Sequence, residues 1–515
     1  MTATTTSRHQ TVGLPSASGN SGSVHWVGPL LVLIVGMFMT VLDTSIINVA
    51  IPTIQTEFGG STSEIAWIST AYALVLGVVV PTTAWLGDRV GLGRLYMIGL
   101  IGFALGSALC GLSWSLNSLI AFRVIQAIPG GVLPAITMTM VYRIVPKDKM
   151  GTAMGMYGIG VIVAPALGPT LGGYLVEFVN WRVIFYINVP IAVVGVVLAL
   201  MFLPTFRRYP TFRFDVLGFL TAAGGLVCLL LATSEGASWG WTSYSILGLF
   251  LASGVLLALF VVVELELEHP LLNLAVFRTW PFTNSLLIIA VQTIGMYSTL
   301  FYIPVFVQSA MGLPALQSGL LVLPQALVMV VIAPISGQLY DRFGPRWLVF
   351  FGLLIAALAM HLMTGINLST TKGEIIAWTC LRSLGMGMGM MSVTASGIGS
   401  LDARLTNSGT ALNNVAQRVS AALGLAALSA FLSGQEAQLG ADRGGLIAAT
   451  DPRIARTGLV ALYQFSKSIT LEEFATALSN TFAITTWVTV LAALLALGLR
   501  SGPPNGPRRR PEPAE

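Results

Sequence analysis

The chain has 515 residues, of which 55% are hydrophobic and only 9% charged, and its formal net charge is +5. A soluble domain carries about 25% charged residues, so this composition argues against a soluble globular protein and indicates that lipid surrounds most of the chain. The basic residues are dispersed among short loops, which disfavours nucleic-acid binding, and the three cysteines lie in separate apolar stretches without disulfide or metal spacing.

From the N-terminus, residues 1–25 are polar and rich in Ser and Thr, and we expect them to form a disordered tail. The apolar run that follows is longer than the core of a signal peptide and lacks a cleavage site, so it is predicted to be the first membrane-spanning helix. A helix needs about 20 mostly apolar residues to cross a bilayer, and lipid tolerates no unpaired backbone there. Fourteen runs meet this requirement, at 27–54, 64–86, 95–114, 118–142, 151–175, 181–203, 215–234, 244–264, 283–309, 318–340, 347–367, 375–399, 408–432 and 480–500.

The distribution of Lys and Arg predicts the orientation of these spans. Seventeen of the 26 basic residues lie in tails and loops on one side, and six lie on the other. Because cytoplasmic loops carry the excess of positive charge, both termini are predicted to be cytoplasmic, including the tail at 501–515. Residues 433–479 are then an extracytoplasmic loop, in which Thr470 and Glu473 form a capping box that predicts a short amphipathic helix.

Two features of the sequence recur at a similar offset. The hexapeptide 86–91 (LGDRVG) leaves the second span, and 339–344 (LYDRFG) leaves the tenth, 253 residues later. Arg123 in the fourth span and Arg382 in the twelfth are 259 residues apart. The offsets predict two equivalent six-helix bundles, at 26–205 and 281–500, with two further helices inserted between them at 206–280. Repeated bundles with a site at their interface are typical of alternating-access carriers.

Several motifs occur in a defined order along the chain. They are residues 42–52 (LDTSIINVAIP), the turn at 86–91 with Arg94, Arg123 with Gln126, the glycine motif of the fifth span (Gly155, Gly168, Pro169, Gly172 and Gly173), and residues 180–182 with 188–190. Together they resemble the major facilitator superfamily, specifically its fourteen-helix drug:proton antiporters of the EmrB/QacA type. The resemblance implies an all-α integral membrane protein with the major facilitator fold, in which two six-helix bundles and two extra inserted helices give 14 transmembrane helices.

The resemblance also implies a function. We expect proton-coupled antiport of small lipophilic compounds, such as drugs or antibiotics, across a bacterial cytoplasmic membrane, by a monomer that is not an enzyme. The expected partners are the substrates, protons and the lipid bilayer, with no nucleic acid, while a periplasmic adaptor stays open. The sequence contains no phosphate-binding loop, so we expect no cofactor and a proton gradient as the energy source. A carrier for a specific metabolite or lipid is the first alternative, and a membrane scaffold or receptor without transport activity is the second.

Asp43 and Arg123 are the predicted proton-coupling residues. A carboxylate deep in an apolar helix is costly and therefore a functional candidate by default. Its proton affinity depends on burial and on nearby cations, so Asp43 could bind and release a proton as a central cavity opens to either side. The alternative is a permanent structural pair between Asp43 and a cation such as Arg123. No metal site is predicted.

Three further groups of residues are predicted to contribute to transport: a latch, a glycine motif and a substrate cavity. Asp88 and Asp341 precede the third and eleventh spans, where the positive end of the following helix stabilises a carboxylate. The two turns that contain them are interpreted either as a conformational latch or as ordinary charged turns. The fifth-span glycines provide a smooth surface for close packing, and the resemblance implies that this packing seals the cytoplasmic side. The predicted latch consists of Asp88, Arg89, Gly91, Arg94, Asp341, Arg342 and Gly344. The predicted substrate cavity consists of Asn48, Trp67, Tyr72, Gln292, Tyr297, Tyr302, Asn413 and Gln417, although bundle packing explains each of these equally well.

Overall fold

The structure is a computed structural model of the chain, and it describes residues 26–206, 214–267, 270–402, 404–444 and 459–499. Every regular element in these ranges is helical. The α-helices are α1 (Val27–Phe58), α2 (Thr62–Val79), α3 (Thr83–Val90), α4 (Leu92–Gly111), α5 (Leu116–Ile144), α6 (Met150–Phe178), α7 (Val183–Tyr186), α8 (Asn188–Phe202), α9 (Val216–Trp239), α10 (Tyr244–Glu266), α11 (Trp280–Ser309), α12 (Ala315–Phe343), α13 (Pro345–Met363), α14 (Lys372–Gly399), α15 (Thr406–Gly444) and α16 (Leu459–Ala496).

These helices make fourteen crossings within the described residues, because α2 continues into α3 through a 3₁₀ turn and α7 continues into α8. Thirteen of the crossings are long and apolar enough to span a membrane by length and composition. The remaining one is α14, whose hydropathy is lowered by Arg382 in its middle and by the glycine, serine and threonine residues that follow it. The predicted all-α membrane fold is confirmed.

Local sequence fixes where several helices begin. Ser61 with Glu64 forms a capping box at the start of α2, and Thr371 with Glu374 forms another at the start of α14. Such boxes satisfy backbone N–H groups that have no partner inside the helix. The predicted tight turns also occur, since Gly91 and Gly344 have φ angles of 89° and 79°. Backbone conformations with positive φ favour glycine, because glycine lacks a Cβ atom.

The crossings pack in two groups with an additional pair. Helices α1–α8 contact one another, as do α11–α16, and the groups meet mainly where α6 packs against α12 and where α5 packs against α15. The pair α9–α10 lies outside the two groups. Within it α9 contacts α2 of the first group and α15 of the second, while α10 packs on α9 through a hydrogen bond from Ser253 to the Gly225 carbonyl.

The structure corrects the predicted loop at 433–479. Helix α15 continues through Gly444, and α16 already begins at Leu459, so most of the segment is helical. Thr470 and Glu473 lie inside α16 and do not begin a separate helix. The prediction was wrong because polar residues lower the hydropathy of a helix that extends beyond the membrane without interrupting it. The predicted tails, 1–25 and 501–515, lie outside the described residues.

Candidate functional site: a buried ion pair and two links between the bundles

Asp43 lies in the middle of α1, with 1% of its surface exposed, and it accepts three hydrogen bonds. Its Oδ2 accepts one from Arg123 Nη1 at 2.6 Å. Its Oδ1 accepts one from Gln126 Nε2 at 2.8 Å and one from Asn188 Nδ2 at 2.9 Å. An ionised carboxylate only accepts, so three donors around one carboxyl group suit the charged form of Asp43. The structure therefore brings the two predicted proton-coupling residues into direct contact.

The guanidinium of Arg123 is enclosed as completely as the carboxylate. It is 1% exposed, and its Cζ lies 3.8 Å from the centre of the Tyr72 ring. Its Nη1 also donates to Gln126 Oε1 at 2.9 Å, while its Nε has no hydrogen-bond partner. A cation over an aromatic face is attracted by the ring quadrupole. Tyr72, predicted to line a substrate cavity, thus forms one wall of the ion-pair site in this conformation.

Two further residues of this site belong to motifs in the sequence but were not predicted to be site residues. Gln126 lies one turn after Arg123 on α5, and Asn188 is the first residue of α8. A third, Ser107 on α4, accepts from Asn188 at 3.0 Å and donates to the Phe185 carbonyl. Polar side chains inside apolar runs are the signal that identifies such residues, because each must find a partner away from water. The sequence shows that Asn188 needs a hydrogen-bond partner, and the fold identifies Asp43 as that partner.

Asp341 forms the stronger of two links between the bundles. It lies near the end of α12, and its carboxylate accepts from the Gly151 backbone N–H at 2.7 Å. It also accepts from the backbone N–H of Thr152 at 2.9 Å and from the Thr152 hydroxyl at 2.7 Å. Gly151 and Thr152 are in the first turn of α6, where N–H groups lack partners inside the helix and the helix dipole is positive. One carboxylate of the second bundle therefore caps a helix of the first.

Asp88 forms the corresponding link from the first bundle. Its Oδ1 accepts from Asn407 Nδ2 at 2.9 Å, in the first turn of α15, and Arg143 lies 3.9 Å away. Arg143 also donates to Asn407 Oδ1 at 3.1 Å. We call the end of the molecule that carries these two links the Asp88 end. Described hydrogen bonds between the two six-helix groups lie at this end and in the adjoining turns, where Thr139 pairs with Thr410 and Tyr142 donates to the Thr394 carbonyl.

The position of these carboxylates corrects one expectation. Asp88 and Asp341 were expected to favour the helices that follow them in the chain. Both instead lie at the ends of the preceding helices and act on the first turn of a helix in the opposite bundle. Gly91 and Gly344 follow these carboxylates in the chain and precede the next helices, α4 and α13. Among the predicted basic partners, Arg89, Arg94 and Arg342 are exposed at the surface.

The glycines of α6 pack against two different helices. A methyl group at Gly155 would lie 2.6 Å from the Ala333 carbonyl oxygen of α12, closer than a real contact allows. A methyl group at Gly172 would lie 2.8 Å from Ile46 on α1, and one at Gly168 would collide with the Ser45 hydroxyl. Gly173 has nothing within 4 Å of the corresponding position. Small residues allow helices to approach closely, so α6 contacts the other bundle near its start and α1 near its end.

A family model described as the Major Facilitator Superfamily matches residues 33–425. The chain belongs to the major facilitator superfamily. It is 36% identical over 395 residues to the uncharacterized MFS-type transporter YhcA of Bacillus subtilis, covering 77% of this chain and 74% of YhcA. It is 31% identical over 406 residues to the tetracenomycin C resistance and export protein of Streptomyces glaucescens, covering 78% and 75% of the two chains. The sequence thus groups this superfamily member with bacterial multi-pass membrane transporters.

A solved structure of the same superfamily shares the fold. The proton:xylose symporter XylE superposes with a TM-score of 0.61 over 91% of this chain and 94% of its own, at 14% sequence identity. At that identity the likeness carries information on the fold alone. It confirms the predicted major facilitator architecture.

The residues predicted to line a substrate cavity in this superfamily member are dispersed. Asn48 is exposed, Trp67 and Gln417 are partly exposed, and Tyr297 is 39% exposed. Tyr302 is 2% exposed and packs in a hydrophobic cluster of the second bundle with Phe306 and Phe482, which favours the packing interpretation for it. Gln292 and Asn413 are buried amides with side-chain atoms that have no hydrogen-bond partner, a feature that they share with the Tyr302 hydroxyl. Buried amides without partners are costly, so these two are the better candidates for contact with a bound molecule.

Proposed function

We propose that this chain is a proton-coupled exporter of small lipophilic compounds across the cytoplasmic membrane, in the fourteen-helix drug:proton antiporter branch of the EmrB/QacA type. The observation that carries the proposal is the enclosed pair of Asp43 and Arg123 with its three donors to one carboxylate. A buried carboxylate whose partner can be withdrawn is a proton carrier, because loss of the partner removes what stabilises its charge.

The proposed cycle begins from the conformation described here. With both termini cytoplasmic, the Asp88 end faces the cytoplasm, and the links of Asp341 and Asp88 hold that side closed. A proton that reaches Asp43 from the opposite side neutralises the carboxylate and weakens its bond to Arg123. The bundles then separate at the Asp88 end, cargo enters from the cytoplasm, and Asp43 releases its proton there. Re-formation of the ion pair returns the protein to the first state.

The energetics suit this role. Moving one charge through 100 mV is worth about 2.3 kcal/mol, and one pH unit adds about 1.4 kcal/mol. One proton per cycle therefore supports a cargo gradient of roughly a few hundredfold. The names of relatives support export as the direction, since the Streptomyces glaucescens protein is a resistance and export protein for tetracenomycin C.

The proposal is tested with purified protein in sealed proteoliposomes. An imposed pH gradient should drive accumulation of tetracenomycin C, and addition of this compound should accelerate the decay of the gradient. The Asp43→Asn variant, inserted to the same level, should do neither. Accumulation that persists after both the pH gradient and the voltage are collapsed would refute proton coupling.

A further inference from the structure

Three arginines, Arg123, Arg382 and Arg418, lie well inside described spanning helices of the two bundles. Away from the Asp88 end, the buried or partly buried acidic residues described in these helices are Asp43 on α1 and, toward the opposite end of the molecule, Glu436 on α15 and Glu473 on α16. The described ion pairs are Asp43 with Arg123, Asp88 with Arg143 and Glu57 with Arg182, and none of them includes Arg382 or Arg418. Since Asp43 balances Arg123, Arg382 and Arg418 are the two of these arginines without an ion-pair partner among the described residues.

Arg418 lies on the face of α15 that meets the first bundle. Asn407 and Ala411, on the same helical face, contact Asp88 and pack with Val80, respectively. Thr410 hydrogen-bonds Thr139 of α5 at 2.7 Å, and Arg418 lies about two turns, or about 12 Å, further along α15. A similar distance back along the antiparallel α5 lies Gly130, where an added methyl group would lie 2.9 Å from the Tyr72 hydroxyl. This register places Arg418 near the level of Tyr72.

The surroundings of Arg418 join both bundles. Its helix α15 packs against α5 of the first bundle and α11 of the second, and its side chain is partly exposed. Tyr72 in turn covers Arg123 at 3.8 Å. Arg418 therefore lies near the level of the ring that covers the proton-coupling pair. It occupies the bundle interface, where carriers of this architecture bind their cargo.

Arg382 provides an independent observation of the same kind. It is 5% exposed, and its Nε and Nη1 have no hydrogen-bond partner. It lies on the face of α14 that also contains Gly389, and Gly389 lies against the partnerless amide of Gln292 on α11. A buried guanidinium without a counter-charge is strongly unfavourable. The second bundle therefore contributes unpaired donors and positive charge to the interior.

Resting on the proposed export function, we propose that Arg418 recognises an anionic group of the cargo, so that this protein favours lipophilic compounds that carry a carboxylate, phenolate or sulfonate. Arginine suits this task because its planar donors match oxyanions and its face stacks on aromatic rings. The ring of Tyr72, near the same level, supplies aromatic surface for the lipophilic body of such a compound. Arg382 adds long-range attraction for the same charge.

The test measures binding, so that it does not depend on transport. Fluorescein and rhodamine 123 share a xanthene core but carry opposite charges, and their binding to purified protein in phosphatidylcholine nanodiscs is followed by fluorescence anisotropy. Arg418→Gln should weaken fluorescein binding roughly tenfold or more, the effect of losing a charged hydrogen bond, and should change rhodamine 123 binding less than about twofold. Arg418→Lys should retain part of the fluorescein affinity. The matched control is Arg278→Gln, which removes an exposed guanidinium outside the spanning helices and should alter neither dye.

Several results would overturn the inference. They are wild-type protein that binds rhodamine 123 in preference to fluorescein, an Arg418→Gln variant that binds fluorescein normally, or equal losses for both dyes. An anionic lipid headgroup is the other source of the same chemistry. If the effect of Arg418→Gln on fluorescein appeared only in nanodiscs containing phosphatidylglycerol, the residue would serve a lipid. Dye that binds through Arg418 but is not moved by a pH gradient would refute the proposed function and leave this inference standing.

Discussion

Replacing Asp43 with Asn removes one negative charge and leaves the shape of the side chain unchanged. The native carboxylate receives Arg123 on one oxygen and both Gln126 and Asn188 on the other. Asn offers one accepting oxygen and one NH₂ group, so at least one of the three donors must face another donor. The guanidinium of Arg123 also loses its counter-charge while it stays enclosed.

The expected loss of stability follows from these contacts. Removing one partner of a buried ion pair costs about 3–5 kcal/mol. The oxygen that Asn retains offsets about 1 kcal/mol of this cost. We therefore expect Asp43→Asn to lower the free energy of unfolding by about 2–4 kcal/mol, and Arg123→Gln to have an effect of similar size.

A double-mutant cycle separates stability from proton coupling. In Asp43→Asn combined with Arg123→Gln neither charge remains, so we expect the double variant to regain about 2 kcal/mol relative to the sum of the single effects. Stability is measured by thermal unfolding in detergent, and coupling by tetracenomycin C accumulation in proteoliposomes under a pH gradient. Gradient-driven accumulation should be absent from all three variants, because none contains the proton-binding carboxyl together with its partner.

The control is the same chemical change at an exposed pair. Glu57 pairs with Arg182 at 2.8 Å, but 41% of the Glu57 side chain is exposed. Glu57→Gln should therefore cost no more than about 1 kcal/mol and leave gradient-driven accumulation intact. Strictly additive effects at Asp43 and Arg123 would show that the pair is not coupled energetically. Wild-type accumulation by Asp43→Asn would remove Asp43 from the mechanism.

Three further predictions concern the links, the glycine contacts and the aromatic wall. Asp341→Asn should weaken the closed Asp88 end by about 1–2 kcal/mol, since it loses charge-assisted bonds to a helix N-terminus, and Asp88→Asn should weaken it less; spin-label distances across that end measure the opening. Gly155→Ala should lower thermal stability and transport, because its methyl group meets the backbone of α12, whereas Gly173→Ala should be neutral in both assays. Tyr72→Phe should preserve stability because the Tyr72 hydroxyl has no partner, whereas Tyr72→Leu should lose about 1 kcal/mol of cation–π attraction in thermal unfolding.

Each of these predictions has an outcome that would contradict it. Unchanged distances at the Asp88 end in Asp341→Asn would show that the carboxylate does not hold the bundles together. Equal effects of alanine at Gly155 and Gly173 would show that α6 does not rely on close approach to α12. Equal stability of the Phe and Leu variants at Tyr72 would show that the ring does not stabilise Arg123.

The sequence was sufficient to predict the helices and the most important pair. Apolar runs of the required length predict spans because lipid leaves a chain few other ways to satisfy its backbone. The same argument predicts that Asp43 and Arg123 need partners. Their contact at 2.6 Å is the simplest way for two opposite charges to avoid the cost of isolation in an apolar interior.

Other features depend on contacts that no local pattern contains. Asp341 accepts from residues 189 and 190 positions earlier in the chain, and only the packing of α6 on α12 brings them together. Likewise, nothing in the motif around Asn188 identifies its acceptor. Hydropathy also failed at the end of α15, because it reports where a helix leaves lipid and not where the helix ends.

The inserted pair α9–α10 makes the two seams of the carrier unequal. One seam, between α2 and α15, is covered by α9, which holds Thr70 of α2 through Ser234 at 3.2 Å. At the other seam α6 and α12 pack directly on each other, and their main described contacts are with helices of the two bundles. Separation of the bundles along the first seam must therefore break the contacts of α9 with one of them, whereas separation along the second leaves the inserted pair in place.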